Sequence, residues 1–213
     1  MDIVGTVTGC QDGTITIQAP IEHPEIITRQ HITQAEIRLS DGRRISPEQR
    51  RKTYALFRDI SLHTGYTPDY TKELFKCLFL AETGGELFSL SDVDMTTARE
   101  FITFLIDFCL EWDVPCMDSL LGITEDISHY LYKCLELRKC AICGKHADVH
   151  HIDAIGMGND RKEKPQLGAR CIALCRKHHR QCHDMGNESF LSLYHAYGIK
   201  LDHYLCRALK IKE

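Results

Sequence analysis

Between Cys140 and His183 the chain reads CAICGKHADVHHIDAIGMGNDRKEKPQLGARCIALCRKHHRQCH, and these 44 residues gather five of its eleven cysteines and six of its twelve histidines. Thiolate and imidazole are the side chains that ligate zinc and its neighbours among the transition metals, so such a density points to metal chemistry. Cys140-x-x-Cys143 can turn two thiolates onto one ion, and Cys175-x-x-His178 supplies a second pair further along. That spacing predicts a closed tetrahedral site in which Cys140, Cys143, Cys175 and His178 bind a structural Zn²⁺ and hold together a region with little core of its own. A second set, His150, His151, His179 and His183, is left over. His179 and His183 are four apart, so on a helix they face one way and can share an ion. His150 and His151 lie between the strand formers Val149 and Ile152, and on a strand their rings point to opposite faces. One of the two can then bind a metal while its neighbour acts as a base.

The order of these features, Cys-x-x-Cys, then His-His on a strand, a Gly-rich loop, and LeuCysArgLysHisHis followed by a further His four residues on, resembles the HNH endonucleases of the ββα-metal (His-Me) class. Within that class the chain is most similar to the HNH nucleases of bacteriophage recombination modules, on HisHisIleAsp at 150–153, GlyMetGlyAsnAspArgLysGlu at 156–163 and TyrHisAlaTyrGlyIleLys at 194–200. The resemblance implies that His151 is the general base and that His150, His179 and His183 ligate a catalytic divalent ion, Mg²⁺ or Mn²⁺, with products ending in a 5′-phosphate. The chemistry is consistent with the need. An anionic phosphodiester must be attacked with a cation absorbing charge and a base near neutrality deprotonating water. The family's central Asn usually stands just before the second strand, where this chain has Arg170 or Cys171; Asn159 is the one asparagine between the histidine clusters. Asp153 is expected to orient a ring or ligate the metal. Arg170, Arg176, Lys177 and Arg180 are candidates for steering the phosphate. A zinc ribbon or knuckle with surplus surface histidines shows the same Cys-x-x-Cys and Cys-x-x-His, and that reading stands beside the nuclease one. Cys171 and Cys182 could replace a ligand, although small buried fillers are their default.

The elements that position these residues follow from the rest of the chain. With 213 residues and 43% hydrophobic content it can bury one sizeable core or two modest ones. No apolar run is long enough to cross a bilayer, and MDIVGTVTG lacks the features of a signal peptide, so a cytoplasmic location is expected, in the infected or lysogenic bacterial host that the phage resemblance implies. Free thiols are expected in that compartment. The cysteines outside the cluster, Cys10, Cys77, Cys109, Cys116, Cys134 and Cys206, are read as core packing. Residues 138–213 carry 14 Lys+Arg against 8 Asp+Glu, while residues 1–137 carry 12 against 22. A basic half beside an acidic one is consistent with two modules, 1–137 and 138–213, the second facing phosphates.

In chain order, alternating β-formers at 3–8 and 14–18 around GlnAspGly predict a hairpin, 19–33 reads as an irregular connection, and 35–39 as a strand. Ser46-Pro47 with Gln49 predicts a capped helix reaching Ile60, its apolar side carrying Tyr54, Leu56, Phe57 and Ile60. Helices are predicted over 69–81, from the cap Asp94 to about Trp112, and over 125–137. Phe190, Leu193, Tyr194 and Tyr197 predict a last helix stopped by Gly198, with His195 and His203 as ordinary surface or packing histidines. The fold class is therefore α+β: a mixed N-terminal domain with a small sheet and several helices, then a zinc-stabilised ββα-metal domain.

The pattern ArgIleSerProGluGlnArgArgLysThrTyrAlaLeuPheArgAspIle at 44–60, PheLysCysLeuPhe at 75–79 and the Ser-rich approach to the helix near 95 resembles the Orf (NinB) recombination proteins of lambda-type phages. That resemblance implies a homodimer that binds single-stranded DNA and works with single-strand-binding protein or a recombinase. Independently of it, Arg43, Arg44, Arg50, Arg51 and Lys52 form a basic run that can track a phosphate backbone, or else a solvated helix face; Tyr54 and Phe57 could stack bases, or else pack in the core. The function expected is a metal-dependent HNH endonuclease of a phage recombination module, cutting single-stranded or branched DNA. The alternative is a non-catalytic mediator that binds single-stranded DNA and assists recombinase loading.

Overall fold

The computed structural model describes residues 5–21, 23–34, 37, 42–153 and 165–212. The chain divides into two compact units, residues 1–39 and 40–213. The first holds an antiparallel hairpin of β1 (Thr6–Gln11) and β2 (Thr14–Gln18), joined where Gln11 pairs with Thr14. Asp12 and Gly13 both take positive φ, 50° and 75°, the handedness that lets a two-residue turn match the twist of its strands. A short helix, α1 (Glu25–Arg29), lies within the stretch read as irregular. The strand expected at 35–39 lies largely outside the described residues.

The second unit is built on helices. In α2 (Pro47–Thr64) the Ser46 hydroxyl accepts from the Gln49 amide, while the Gln49 side chain accepts from the Ser46 amide, each at 3.0 Å. This reciprocal cap satisfies two otherwise orphaned donors, and Gly65 in the left-handed region ends the helix. A Thr67 cap starts α3 (Pro68–Thr83), and Asp94, accepting from Thr97 at 2.9 Å, starts α4 (Met95–Glu111). Leu56, Phe57 and Ile60 of α2, Phe75 and Phe79 of α3, and Phe101, Ile102 and Leu105 of α4 are all essentially buried. Burial stabilises each of them by about 1.5–3 kcal/mol before entropy is counted. Tyr54, expected on that apolar side, is instead half exposed. Asp59 is buried but satisfied: it receives Arg58 Nε at 2.8 Å and the Met117 amide at 2.9 Å, tying the chain after α4 to α2.

A short turn of helix, α5 (Leu120–Ile123), precedes α6 (Ile127–Glu136), whose buried face carries Tyr130, Leu131, Cys134 and Leu135. Helix α6 packs against both α4 and the strand β4 (Arg170–Leu174). Strands β3 (Asp148–His151) and β4 pair antiparallel, with His150 opposite Ile172 and His151 opposite Cys171. The helix α7 (Arg176–Met185) follows β4 directly and packs on both strands, completing a ββα unit. A two-residue strand, β5 (Ile199–Lys200), adds a third strand beside β4 that sequence reading does not anticipate.

The last expected helix is displaced. It runs as α8 (Asn187–Tyr194) and ends at His195 in the left-handed conformation, three residues before Gly198. Gly198 serves the sheet instead. A Cβ there would sit 2.3 Å from Ile152 Cδ1 and 3.0 Å from Arg170 Cβ, so only glycine lets the chain entering β5 approach this closely. Helix α9 (His203–Leu209) buries Leu205, Cys206 and Leu209. The class is α+β, and one contiguous set of buried side chains runs from Ile45 to Leu209. Among the described residues no helix is long and apolar enough to cross a membrane.

Candidate functional site

Four donors from three places meet first. Residues 140–144 fold into a tight knuckle in which the Cys140 amide donates to the Lys145 carbonyl at 2.7 Å and the Gly144 amide to the Cys140 carbonyl at 2.8 Å. Gly144 takes φ 67°, which lets the chain reverse directly after Cys143. Cys175 stands at the N-cap position of α7, and His178 lies in the first turn of that helix. The knuckle is fastened to the fold by the Ala141 amide on the Ala173 carbonyl and by the Tyr130 hydroxyl on the Ala141 carbonyl. All four ligand atoms lie within 4.8 Å of one another. His178 Nδ1 is 3.3 Å from both Cys140 Sγ and Cys175 Sγ, and Cys143 Sγ is 3.7 Å from Cys175 Sγ. A tetrahedron with Zn–S bonds of about 2.3 Å has sulfur–sulfur edges of about 3.8 Å, so both donor set and spacing can hold zinc. Burial pushes the Cys140 thiol up to about 12. Burial also acts to raise the Cys175 thiol, but the amides of His178 and Lys177 and the neighbouring sulfurs outweigh it and hold that thiol below its ordinary value.

The second cluster lies on the same helix. His179 and His183, one turn apart on α7, meet His150 from β3, and their donor nitrogens also lie within 4.8 Å of one another. The ring centroids are 4.7 Å apart for His150–His179 and His179–His183 and 5.1 Å for His150–His183. His150 is buried, His179 intermediate and His183 exposed, so the cluster is closed on one side and open on the other. Burial holds the His150 imidazole below its ordinary value; positive charge on His179 and His183 would lower it further, and the Asn187 contact opposes them. A neutral imidazole is what a metal ligand must be. Three imidazoles with an open side suit a divalent ion that keeps coordination positions for other oxygens.

His151 belongs to the opposite face of β3, as the alternation of a strand requires. Its Nε2 is 2.5 Å from Oε1 of the buried Gln166. A carbonyl oxygen accepts, so Nε2 carries the hydrogen and Nδ1 the lone pair. His151 Nδ1 is buried and has no hydrogen-bond partner among the described residues. Sequence reasoning does not single out Gln166, because fifteen positions separate it from His151. Asn187 escapes it as well: it follows the Gly186 break after α7, and its Oδ1 is 3.0 Å from His150 Nε2. The Gly-rich stretch at 156–163, with Asn159, lies outside the described residues.

Other expected site residues are distributed differently. Asp153 is engaged by Arg170: its carboxylate accepts from the Arg170 amide at 2.8 Å, Nε at 2.9 Å and Nη2 at 2.6 Å. Among the described residues it belongs to neither metal cluster, and its hydrogen bonds are to Arg170. Arg176 lies 3.2 Å from Asp148 but is almost fully exposed, and Lys177 and Arg180 are exposed on α7. In the N-terminal run, Arg44 and Arg50 donate to the Asp92 and Ser91 carbonyls ahead of α4, and Lys52 faces Glu48 and Glu125. Arg43 and Arg51 are exposed. Phe57 is core. Cys171 and Cys182 are buried, as are Cys109, Cys134 and Cys206; Cys116 is half-buried, whereas Cys10 and Cys77, expected in the core, are exposed. His195 and His203 are on the surface.

Residues 16–212 match the model of the family described as "Putative HNHc nuclease", a span that takes in both metal clusters and the helices ahead of them. No curated protein matches the chain, and no solved structure matches it.

Proposed function

Since the chain belongs to the HNHc nuclease family, we propose that it is a DNA endonuclease whose active site is formed by His151 together with His150, His179 and His183. The observation that carries this reading is the convergence of three imidazoles from β3 and α7, with His151, the next residue of β3 after His150, keeping a buried Nδ1 that has no hydrogen-bond partner among the described residues. His150, His179 and His183 would hold a divalent ion, Mg²⁺ or Mn²⁺, which when bound would supply Lewis-acid stabilisation of the charge that develops on the phosphodiester. His151 takes the proton from the attacking water at Nδ1, while Gln166 keeps Nε2 protonated and the ring in place. The exposed cations Arg176, Lys177 and Arg180 on α7 attract the phosphate backbone to that face. Bond breaking on the 3′ side leaves a 5′-phosphate. Cys140, Cys143, Cys175 and His178 would hold zinc as a structural ion.

Residues 1–137 would recognise single-stranded or branched DNA in a phage recombination module, as an Orf-like homodimer acting with single-strand-binding protein or a recombinase. Arg43, Arg44, Arg50, Arg51 and Lys52 would contribute phosphate contacts, Arg44, Arg50 and Lys52 while sharing the partners named above. The test is a nicking assay on supercoiled, single-stranded and forked DNA with Mg²⁺ or Mn²⁺. His151→Ala should lower cleavage by about 10²–10⁴-fold while zinc content and DNA affinity stay within about twofold. Gel shifts without products from the native chain would instead identify a recombination mediator, and retained cleavage by His151→Ala would remove the proposed base.

A further inference from the structure

We infer that Asn187 is a positioning residue that fixes the tautomer of His150, so that His150 presents Nδ1, and not Nε2, to the ion. The inference rests on the proposed imidazole site and adds to it a residue from outside that cluster. Among the described residues the Asn187 side chain makes three contacts: Nδ2 to the Ile152 carbonyl at 2.9 Å, and Oδ1 to His150 Nε2 at 3.0 Å and to Cys182 Sγ at 3.3 Å. The first decides the other two. A carbonyl can only accept, so the amide nitrogen must face Ile152, and the oxygen is left facing His150. Turning the amide over would set two oxygens against each other at Ile152. With an acceptor 3.0 Å away, His150 Nε2 must carry the hydrogen, and the lone pair resides on Nδ1. Cys182 Sγ is 3.4 Å from His150 Nε2 and donates its proton to the same amide oxygen, which has two lone pairs to offer. The thiol therefore reinforces the arrangement and remains a poor competitor for the ion.

The placement of Asn187 explains why its reach is so specific. It opens α8 immediately after Gly186, whose φ of 82° breaks the path of α7 and brings the next side chain back toward β3. The amide thus links the end of the helix bearing His179 and His183 to the strand bearing His150, and it does so through the ring atom that the ion does not use. Outer partners of this kind orient a metal-ligating histidine and typically contribute about 10–100-fold in metal affinity.

The test uses the full-length, zinc-loaded chain and Mn²⁺ as the probe. Long-range ¹⁵N–¹H spectra of the histidine rings should show His150 as the Nε2–H tautomer before Mn²⁺ is added. Mn²⁺ affinity, read by electron paramagnetic resonance of the free ion, should fall about 10–100-fold in Asn187→Leu with zinc content and circular dichroism unchanged. Asn187→Asp, which keeps an acceptor on Nε2, should stay within a few-fold of the native affinity even if it loses the Ile152 contact. An Nδ1–H tautomer, or native Mn²⁺ affinity in Asn187→Leu, would overturn the assignment. Absence of Mn²⁺ binding by the native chain would overturn it together with the proposed active site. Binding and tautomer as expected, without DNA cleavage, would leave Asn187 in its role and remove only the endonuclease.

Discussion

Two side-chain amides, Gln166 and Asn187, each place an oxygen on the Nε2 of a histidine that the adjacent pair His150-His151 contributes to β3. An imidazole can work as base or ligand only through a nitrogen with a free lone pair, and these contacts leave that nitrogen as Nδ1 in both rings. Gln166→Ala should therefore reduce kcat for DNA cleavage by about 10–100-fold with KM nearly unchanged, since the ring is left unheld while the backbone-contacting cations remain. Steady-state kinetics on a forked substrate measure this, and a rise in KM at constant kcat would show that Gln166 serves substrate binding instead. The histidines themselves are legible from residue type and spacing, because an i, i+4 pair and a doublet on a strand have few other geometries. Gln166 and Asn187 are not: neither residue type is distinctive, and each is brought to its ring by a chain reversal. Asp153 has a partner that spacing does not reveal. By spacing, a carboxylate two residues past the doublet is available to the site, but Arg170 on the neighbouring strand holds it with three hydrogen bonds.

At the level of elements, α7 carries His178 into the thiolate cluster and His179 and His183 into the imidazole cluster, so one helix sets the geometry of both. Helix α6 secures the other side, packing on β4 and donating the Tyr130 hydroxyl to the Ala141 carbonyl of the 140–144 knuckle. It is joined to α4 by His129 Nε2 and Asp107 Oδ2 at 2.7 Å. The hydrogen bond to Asp107 raises the His129 imidazole above its ordinary value, more than burial lowers it. A raised value in the folded state means that the charged pair stabilises the fold fully below about pH 6.5, the unfolded value, and that this contribution is lost as pH rises through the folded one. His129 is nearly half exposed, so screening reduces the effect to about 0.5 kcal/mol. Urea titrations at about pH 6 and about pH 9 should show His129→Asn less stable than the native chain in the acidic buffer, with the gap closing in the basic one. A constant gap would mean that the pair contributes no charge interaction. Caps make most elements legible. Ser46, Asp94 and the alternation around Asp12-Gly13 act locally, and their elements start where the side chains say. Gly198 is a misleading stop signal for the last helix, because the close approach of Ile152 and Arg170 is what demands glycine there.

At the scale of the molecule, residues 40–213 share one core. Leu131 and Leu135 of α6 are buried in the same contiguous set as Ile172 and Leu174 of β4, so a division of labour at 137/138 would be functional while the packing crosses it. Urea unfolding of the zinc-loaded chain should accordingly give coincident transitions for helical circular dichroism and for zinc release to a chelating dye. Zinc lost in an earlier, separate transition would show two independently stable modules. The amino-acid sequence by itself determined the donor types, their grouping into a sulfur-rich set and an imidazole set, the helix caps and the α+β class, because each depends on residue identity and near-neighbour spacing. Only the tertiary structure decided which ring nitrogens of His150 and His151 are engaged by side-chain amides, which carboxylate and guanidinium are paired, and that helices ahead of residue 138 form part of the metal region's core. Those outcomes depend on contacts between residues far apart in the chain, and chain reversals and cross-strand register set such contacts where no local spacing can.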